Sequence, residues 1–201
     1  TKTVADISSV IDLNSYIREF ASLFSGLKGT EKSREEIRFR DSIERFKEGF
    51  EDILDDFGIE IRLIIGAGKL NNLYMNRASW ESIILNLLSN SIKALGNVKR
   101  KKKKIKVTFE KTATNLKIEI HDNGAGIQET NFERIFRPLW TTSKTTGDAG
   151  TGMGTTIVRE IVEDDYEGTV KVKSSTFDKD FPGKGETTMQ ILIPLEVLRR
   201  K

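Results

Sequence analysis

Strand-like stretches fall in close pairs late in this chain, and that pairing limits the fold more than any other feature. Residues 105–109 and 116–120 make one pair, and residues 169–172 and 188–193 the other, with Pro194 ending the last. An earlier stretch, 59–65, sets Ile59, Ile61 and Leu63 against charged neighbours, as a half-buried strand does. Helical periods stand before and between these strands. Strands adjacent in pairs and mixed with helices fit an α+β fold, a two-layer α/β sandwich. A doubly wound parallel sheet fits less well.

The helical periods are themselves informative. In residues 12–27, Leu13, Ile17, Phe20 and Phe24 share a face, with Asp12 placed as a cap. A second helix is expected over 31–56, where Phe39, Ile43, Phe46, Phe50, Ile53 and Phe57 step by four and three. That narrow stripe is the spacing of a helix seam, and its expected use is internal packing on the first helix. Pairing with another chain is the alternative. Gly58 follows as a left-handed stop. Residues 77–95 return to the helical period with Asn76 as cap, and 155–163 form a further helix behind a glycine cluster.

Composition excludes several classes. Of 201 residues, 37% are hydrophobic and 31% charged, enough for a core under a charged surface. Cysteine is absent, which removes disulfides and thiolate metal sites and is compatible with a reducing, cytoplasmic setting. No apolar run would span a bilayer, so no membrane contact is expected within this chain. The net charge of +3 gives no reason to expect nucleic acid. Residues 99–104, Lys-Arg-Lys-Lys-Lys-Lys, read as a solvated loop, with docking of an acidic partner or nucleic acid as the other reading. The chain opens on Thr1 rather than Met, so a piece of a longer protein is expected, with any anchor or sensor upstream.

Three segments carry chemistry. On the helix at 77–95, Ile83, Ile84, Leu87, Leu88, Ser91 and Leu95 line a packing side. Asn86, Asn90, Lys93 and Asn97 recur on another face. An asparagine carbonyl is a hard oxygen suited to Mg²⁺, and Lys93 could offset phosphate charge. An ordinary amphipathic helix with a polar outer face explains the same residues.

The second segment is His121-Asp122-Asn123-Gly124-Ala125-Gly126-Ile127, directly after a strand. An ionised carboxylate only accepts hydrogen bonds, so it can select the exocyclic amine of adenine. Gly124 and Gly126 let the backbone approach a flat ring, although Asp-Asn-Gly is also good turn chemistry. His121, the sole histidine, is expected on the opposite face of the strand from Leu116, Ile118 and Ile120, in a structural role.

The third is Gly150-Thr151-Gly152-Met153-Gly154, opening a helix where bared backbone N–H groups favour phosphate. It lacks the last glycine of a dinucleotide fingerprint and is no P-loop. Upstream, residues 132–140 are apolar enough to anchor a hinge. Residues 141–149, which include Lys144, are small and polar, as a closing lid over a nucleotide should be.

The order of these segments, with Gly183-Lys184-Gly185-Glu186-Thr187 before the last strand, resembles the catalytic, ATP-binding domain of sensor histidine kinases. That domain lies within the gyrase, chaperone, histidine kinase and mismatch-repair ATPase superfamily. The likeness runs from about Ile59 to Leu195. It implies a mixed sheet covered by helices on one face, with a helical segment over 1–57 and the ATP-binding domain over 58–201. It implies ATP and Mg²⁺ as cofactors and Asn90 as the metal ligand, with Asn86 and Lys93 as the catalytic pair at the phosphates. Asp122 would bind the adenine amine with Gly124, Gly126 and Ile127 beside the ring. Lys144, Gly150, Thr151, Gly152, Met153 and Gly154 would form the phosphate-side lid, and Thr187 would support the adenine contact through water.

In hydrolysing members the position of Asn86 is a glutamate that activates water. Asparagine cannot act as a base, so transfer to a supplied acceptor is favoured over fast hydrolysis. The resemblance further implies an upstream dimerisation domain carrying the acceptor histidine, a response regulator partner, and a homodimer formed through the full-length protein. No acceptor histidine is present here. That leaves a second reading, an ATP-gated interaction module without phosphotransfer.

Overall fold

The computed structural model describes residues 33–66, 70–96, 98–99, 101–140, 152–176 and 185–200. The expected helix at 12–27, Asn97, and the lid residues 141–149 with Lys144, Gly150 and Thr151 lie outside the described residues, as do Gly183 and Lys184. Five strands form the main sheet: β2 (Ile59–Ile65), β4 (Lys103–Lys111), β5 (Asn115–Asp122), β6 (Thr169–Thr176) and β7 (Glu186–Pro194). Their order is β2-β4-β5-β7-β6. Only β2 and β4 pair in parallel; the other neighbours are antiparallel. The mixed sheet matches the expected sandwich.

Side chains alternate along these strands, and every second residue of β5 is buried: Leu116, Ile118, Ile120 and Asp122. One face of the sheet therefore carries the core and the other carries charge. On the core face lies α3 (Arg77–Gly96), which buries Ile83, Ile84, Leu87, Leu88, Ser91 and Leu95, the side expected from its sequence. Asn76 caps it, its side-chain oxygen accepting from Ser79 N–H at 3.0 Å.

The expected helix over 31–56 is corrected in two places. Glu35–Glu36 is a short strand, β1, paired antiparallel with β3 (Tyr74–Met75). The remaining helix divides into α1 (Phe39–Gly49) and α2 (Glu51–Asp56) at Phe50, whose φ of −118° and ψ of 15° depart from helix. Its apolar stripe packs internally, in the same core as the sheet. Phe39 meets Trp80 edge-on at 4.9 Å and Phe109 at 5.1 Å, and Phe46 stacks on Phe50 at 4.3 Å. Buried residues on both sides of position 57 contribute to this core, Phe39 to Leu54 before it and Ile59 and Ile61 after it. Gly58 takes the left-handed φ of +62° that its position after α2 requires.

Behind the glycine cluster, α4 (Gly154–Glu160) runs into a π turn over Ile161–Asp165, and α5 (Leu195–Leu198) closes the chain. Among the described residues no helix is long and apolar enough to cross a membrane.

Candidate nucleotide-binding site

Asp122 is the last residue of β5 and, for a carboxylate, deeply placed at 4% exposure. Its Oδ1 accepts Gly124 N–H at 3.0 Å and its Oδ2 accepts the Ser91 hydroxyl of α3 at 3.2 Å. Burial pushes the carboxyl up to about 6; the Gly124 and Ser91 hydrogen bonds oppose the rise, and the Glu186 charge adds to it. The group remains mostly ionised at neutral pH, with acceptor capacity beyond the two bonds it makes.

The turn after Asp122 is built from close backbone approach. A Cβ on Gly124 would stand 2.8 Å from Asp122 Oδ1 and 2.9 Å from Ala94 of α3. Gly126 has a φ of +76°, and a Cβ there would run into the Thr176 carbonyl at the end of β6. Gly185 meets the Ala125 carbonyl in the same way. Ser175 fastens the arrangement: its hydroxyl oxygen accepts Ile127 N–H at 2.7 Å and donates to the Glu186 carbonyl at 2.9 Å. Thr187 is buried on the same rung as Asp122 and lies 3.3 Å from the Ser175 hydroxyl. Asp122, Gly124, Gly126, Ile127 and Thr187 are thus brought together.

The phosphate-side candidates gather on α3. Asn86 turns its amide nitrogen back to the Ser82 carbonyl at 2.8 Å and the Ser82 hydroxyl at 3.3 Å. Its Oδ1 faces Gly154, where a Cβ would come within 2.7 Å. Asn86 therefore marks where the start of α4 seats on α3. Asn90 and Lys93 occupy the helical turns between this contact and the Ser91 and Ala94 contacts of the Asp122 turn. The Asn90 side chain is exposed and hydrogen-bonds to no described residue, while Lys93 is half-buried.

The far side of the glycine box is pinned. Gly152, at φ +65°, lies against the backbone of Leu139 and Trp140. Met153 caps α4 next to it. The Thr155 hydroxyl bonds the Ile135 carbonyl, and the Thr156 hydroxyl the Phe136 carbonyl at 3.2 Å. Ile135 and Phe136 are buried, so the 132–140 segment anchors this box as its apolar character suggested. His121 lies on the open face, 3.0 Å from the Thr188 hydroxyl and away from these groups.

Sequence reasoning missed Ser91, Ser175 and the hydroxyls of Thr155 and Thr156. Ser91 carried a signal, being polar on an otherwise apolar helix side.

A buried carboxylate acceptor, a turn with no room for a Cβ at Gly124 or Gly126, and an exposed amide oxygen on the flanking helix suit an adenine amine and a hard cation. The family model for histidine kinase-, DNA gyrase B-, and HSP90-like ATPases matches residues 75–197. A probable C4-dicarboxylate sensor kinase of Bacillus subtilis (strain 168) is 36% identical over 106 residues, half of this chain and 19% of that protein. This chain thus spans about a fifth of that relative. The catalytic domain of histidine kinase ThkA shares the fold at a TM-score of 0.64 and 24% identity, over 81% of this chain and 98% of that one. Histidine kinase ThkA in complex with response regulator protein TrrA superposes at a TM-score of 0.64 and 22% identity, covering 94% and 49%. With most of its length matched by that model, the chain belongs to the histidine kinase-, DNA gyrase B-, and HSP90-like ATPase family.

Proposed function

We propose that this chain is the catalytic domain of a sensor histidine kinase, binding Mg·ATP and passing the γ-phosphoryl group to a histidine outside the chain. The observation that carries the reading is Asp122, a carboxylate at 4% exposure at the mouth of a turn whose Gly124 and Gly126 leave no room for a Cβ. Holding a charge there costs stability, and an exocyclic amine donor offsets that cost.

In this reading Asp122 accepts from the adenine amine and Thr187, on the same rung, supports the contact. Gly124, Gly126 and Ile127 form the wall beside the ring. Asn90 supplies a side-chain oxygen to Mg²⁺, which when bound neutralises charge on the phosphates. Lys93 offsets the remaining charge, and the box through Gly150, Thr151, Gly152, Met153 and Gly154, with Lys144, closes over the phosphates. The acceptor imidazole nitrogen bonds to the γ-phosphorus as the bond to the bridging oxygen breaks, leaving ADP. Asn86 has no proton-accepting capacity, and its amide is spent on Ser82, which favours transfer over hydrolysis.

The expected partners are an upstream dimerisation and phosphoacceptor domain, through which the parent protein would form a homodimer, and a response regulator. The test is γ-labelled ATP on the parent protein. Acid-labile, base-stable label on the protein supports the reading. Tight Mg·ATP binding with no transferred label overturns phosphotransfer.

A further inference from the structure

The described end of the basic run is solvent-facing, as expected, yet its backbone at Lys102 and Lys104 is tied to the turn after Asp122. Asn123, next to Asp122, grips its backbone three ways. The Asn123 Oδ1 accepts Lys104 N–H at 2.7 Å, its Nδ2 donates to the Lys102 carbonyl at 2.9 Å, and its N–H donates to the Lys104 carbonyl at 3.3 Å. Lys103 turns inward, its ammonium 5.5 Å from the centre of the Phe57 ring, while Lys101, Lys102 and Lys104 face solvent.

The adjoining open face of the sheet continues the charge. Arg62 of β2 and Lys106 of β4 are direct register partners, and Lys106 in turn opposes His121 of β5. Like charges directly opposite each other destabilise a strand pair. Three other cations on this face are matched, Lys104 with Glu60, Lys117 with Glu110 and Lys173 with Glu119, while the exposed Lys171 of β6 stands alone at the far edge. Arg62 and Lys106 make no ion pair with a described residue. Arg62 and Lys106, with the solvent-facing Lys101 and Lys102, thus group positive charge at the β2–β4 corner, beside backbone fixed to the turn that follows Asp122.

We propose that this corner is a docking surface for an acidic patch on a partner protein. Strand-borne cations with the anchored Lys102–Lys104 end of the run at their edge present charge in one geometry, which favours a surface of matching anions. The described strand residues of this face include no Phe, Tyr or Trp on which single-stranded bases would stack. They also lack the exposed large apolar side chains that would enter a lipid interface.

The test uses the full chain and three probes: a short poly-glutamate peptide, a random-sequence DNA duplex and phosphatidylserine vesicles. Poly-glutamate should bind most tightly, with affinity falling as salt rises. The double variant K102E/K106E should lose about tenfold or more in poly-glutamate affinity, and K171E/K173E, at the far edge of the same face, less than about threefold. Lys106→Gln should raise the melting temperature, by relieving the like-charge rung, while lowering poly-glutamate affinity. Equal losses in the two double variants would overturn the proposal, as would tighter binding of duplex or vesicles. So would a Lys106→Gln protein whose poly-glutamate affinity is unchanged.

Discussion

Replacing Asp122 by Asn separates the demands of binding from those of folding. The new side chain is the same size. Its oxygen can accept Gly124 N–H as Asp122 does at 3.0 Å, and the Ser91 hydroxyl can rotate to accept from the amide nitrogen. What disappears is a buried charge. The Asp122 carboxyl titrates at about 6, against an ordinary 3.8. Its folded value lies above its unfolded one, so its contribution to stability is greatest below 3.8 and is lost as pH rises through that window. At pH 7.5 ionisation costs the nucleotide-free domain about 3 kcal/mol, and at pH 5 roughly half that.

Asp122→Asn should therefore stabilise the nucleotide-free protein at pH 7.5 by up to about 3 kcal/mol, and by roughly half that at pH 5. The assay is urea unfolding of both proteins at the two pH values, beside calorimetric titration with Mg·ATP. Nucleotide affinity should collapse, because an amide presents a donor where the adenine amine needs an acceptor. In the unsubstituted protein ATP affinity should fall as pH drops below about 6, when the carboxyl protonates. A variant less stable at pH 7.5, or one that binds ATP as tightly as before, would refute the assignment of Asp122 as a charge held for a ligand.

Asn90→Ala should leave stability within about 0.5 kcal/mol, since the side chain is exposed. It should abolish the Mg²⁺ dependence of ATP binding in calorimetry; retained dependence would place the metal ligand elsewhere. Gly126→Ala forces a side chain into φ +76° and against the Thr176 carbonyl, so it should cost more than about 1 kcal/mol in thermal melting and lower ATP affinity. Phe46→Ala opens the stripe where Phe46 stacks on Phe50 at 4.3 Å. It should cost about 3–5 kcal/mol in one cooperative urea transition. Two separate transitions would show that α1 is not part of the common core.

The strands of the main sheet and α3 were legible because their side chains obey one period over many residues, and Asn76 and Gly58 mark ends by local chemistry. Glu35–Glu36 was not, since two exposed charged residues carry no period and become a strand only by meeting Tyr74–Met75. The break at Phe50 was hidden for the opposite reason: the stripe keeps its helical spacing straight through it. In the site, the residue types of the Asp122 turn were readable from sequence. Ser91 and Ser175 acquire their roles from partners 31 and 48 residues away, and no local pattern records such a contact.

No described residue of 123–168 is a rung of the main sheet: β5 pairs with β7 in continuous register from Asn115–Pro194 to Asp122–Thr187. Every hydrogen-bonded ladder is complete once the flanking strands meet. Insertions and deletions between β5 and β6 can therefore change how the site is covered without shifting a strand by one residue. The stretch answers instead to the core, to which it gives Ile135, Phe136, Val158, Val162 and Tyr166.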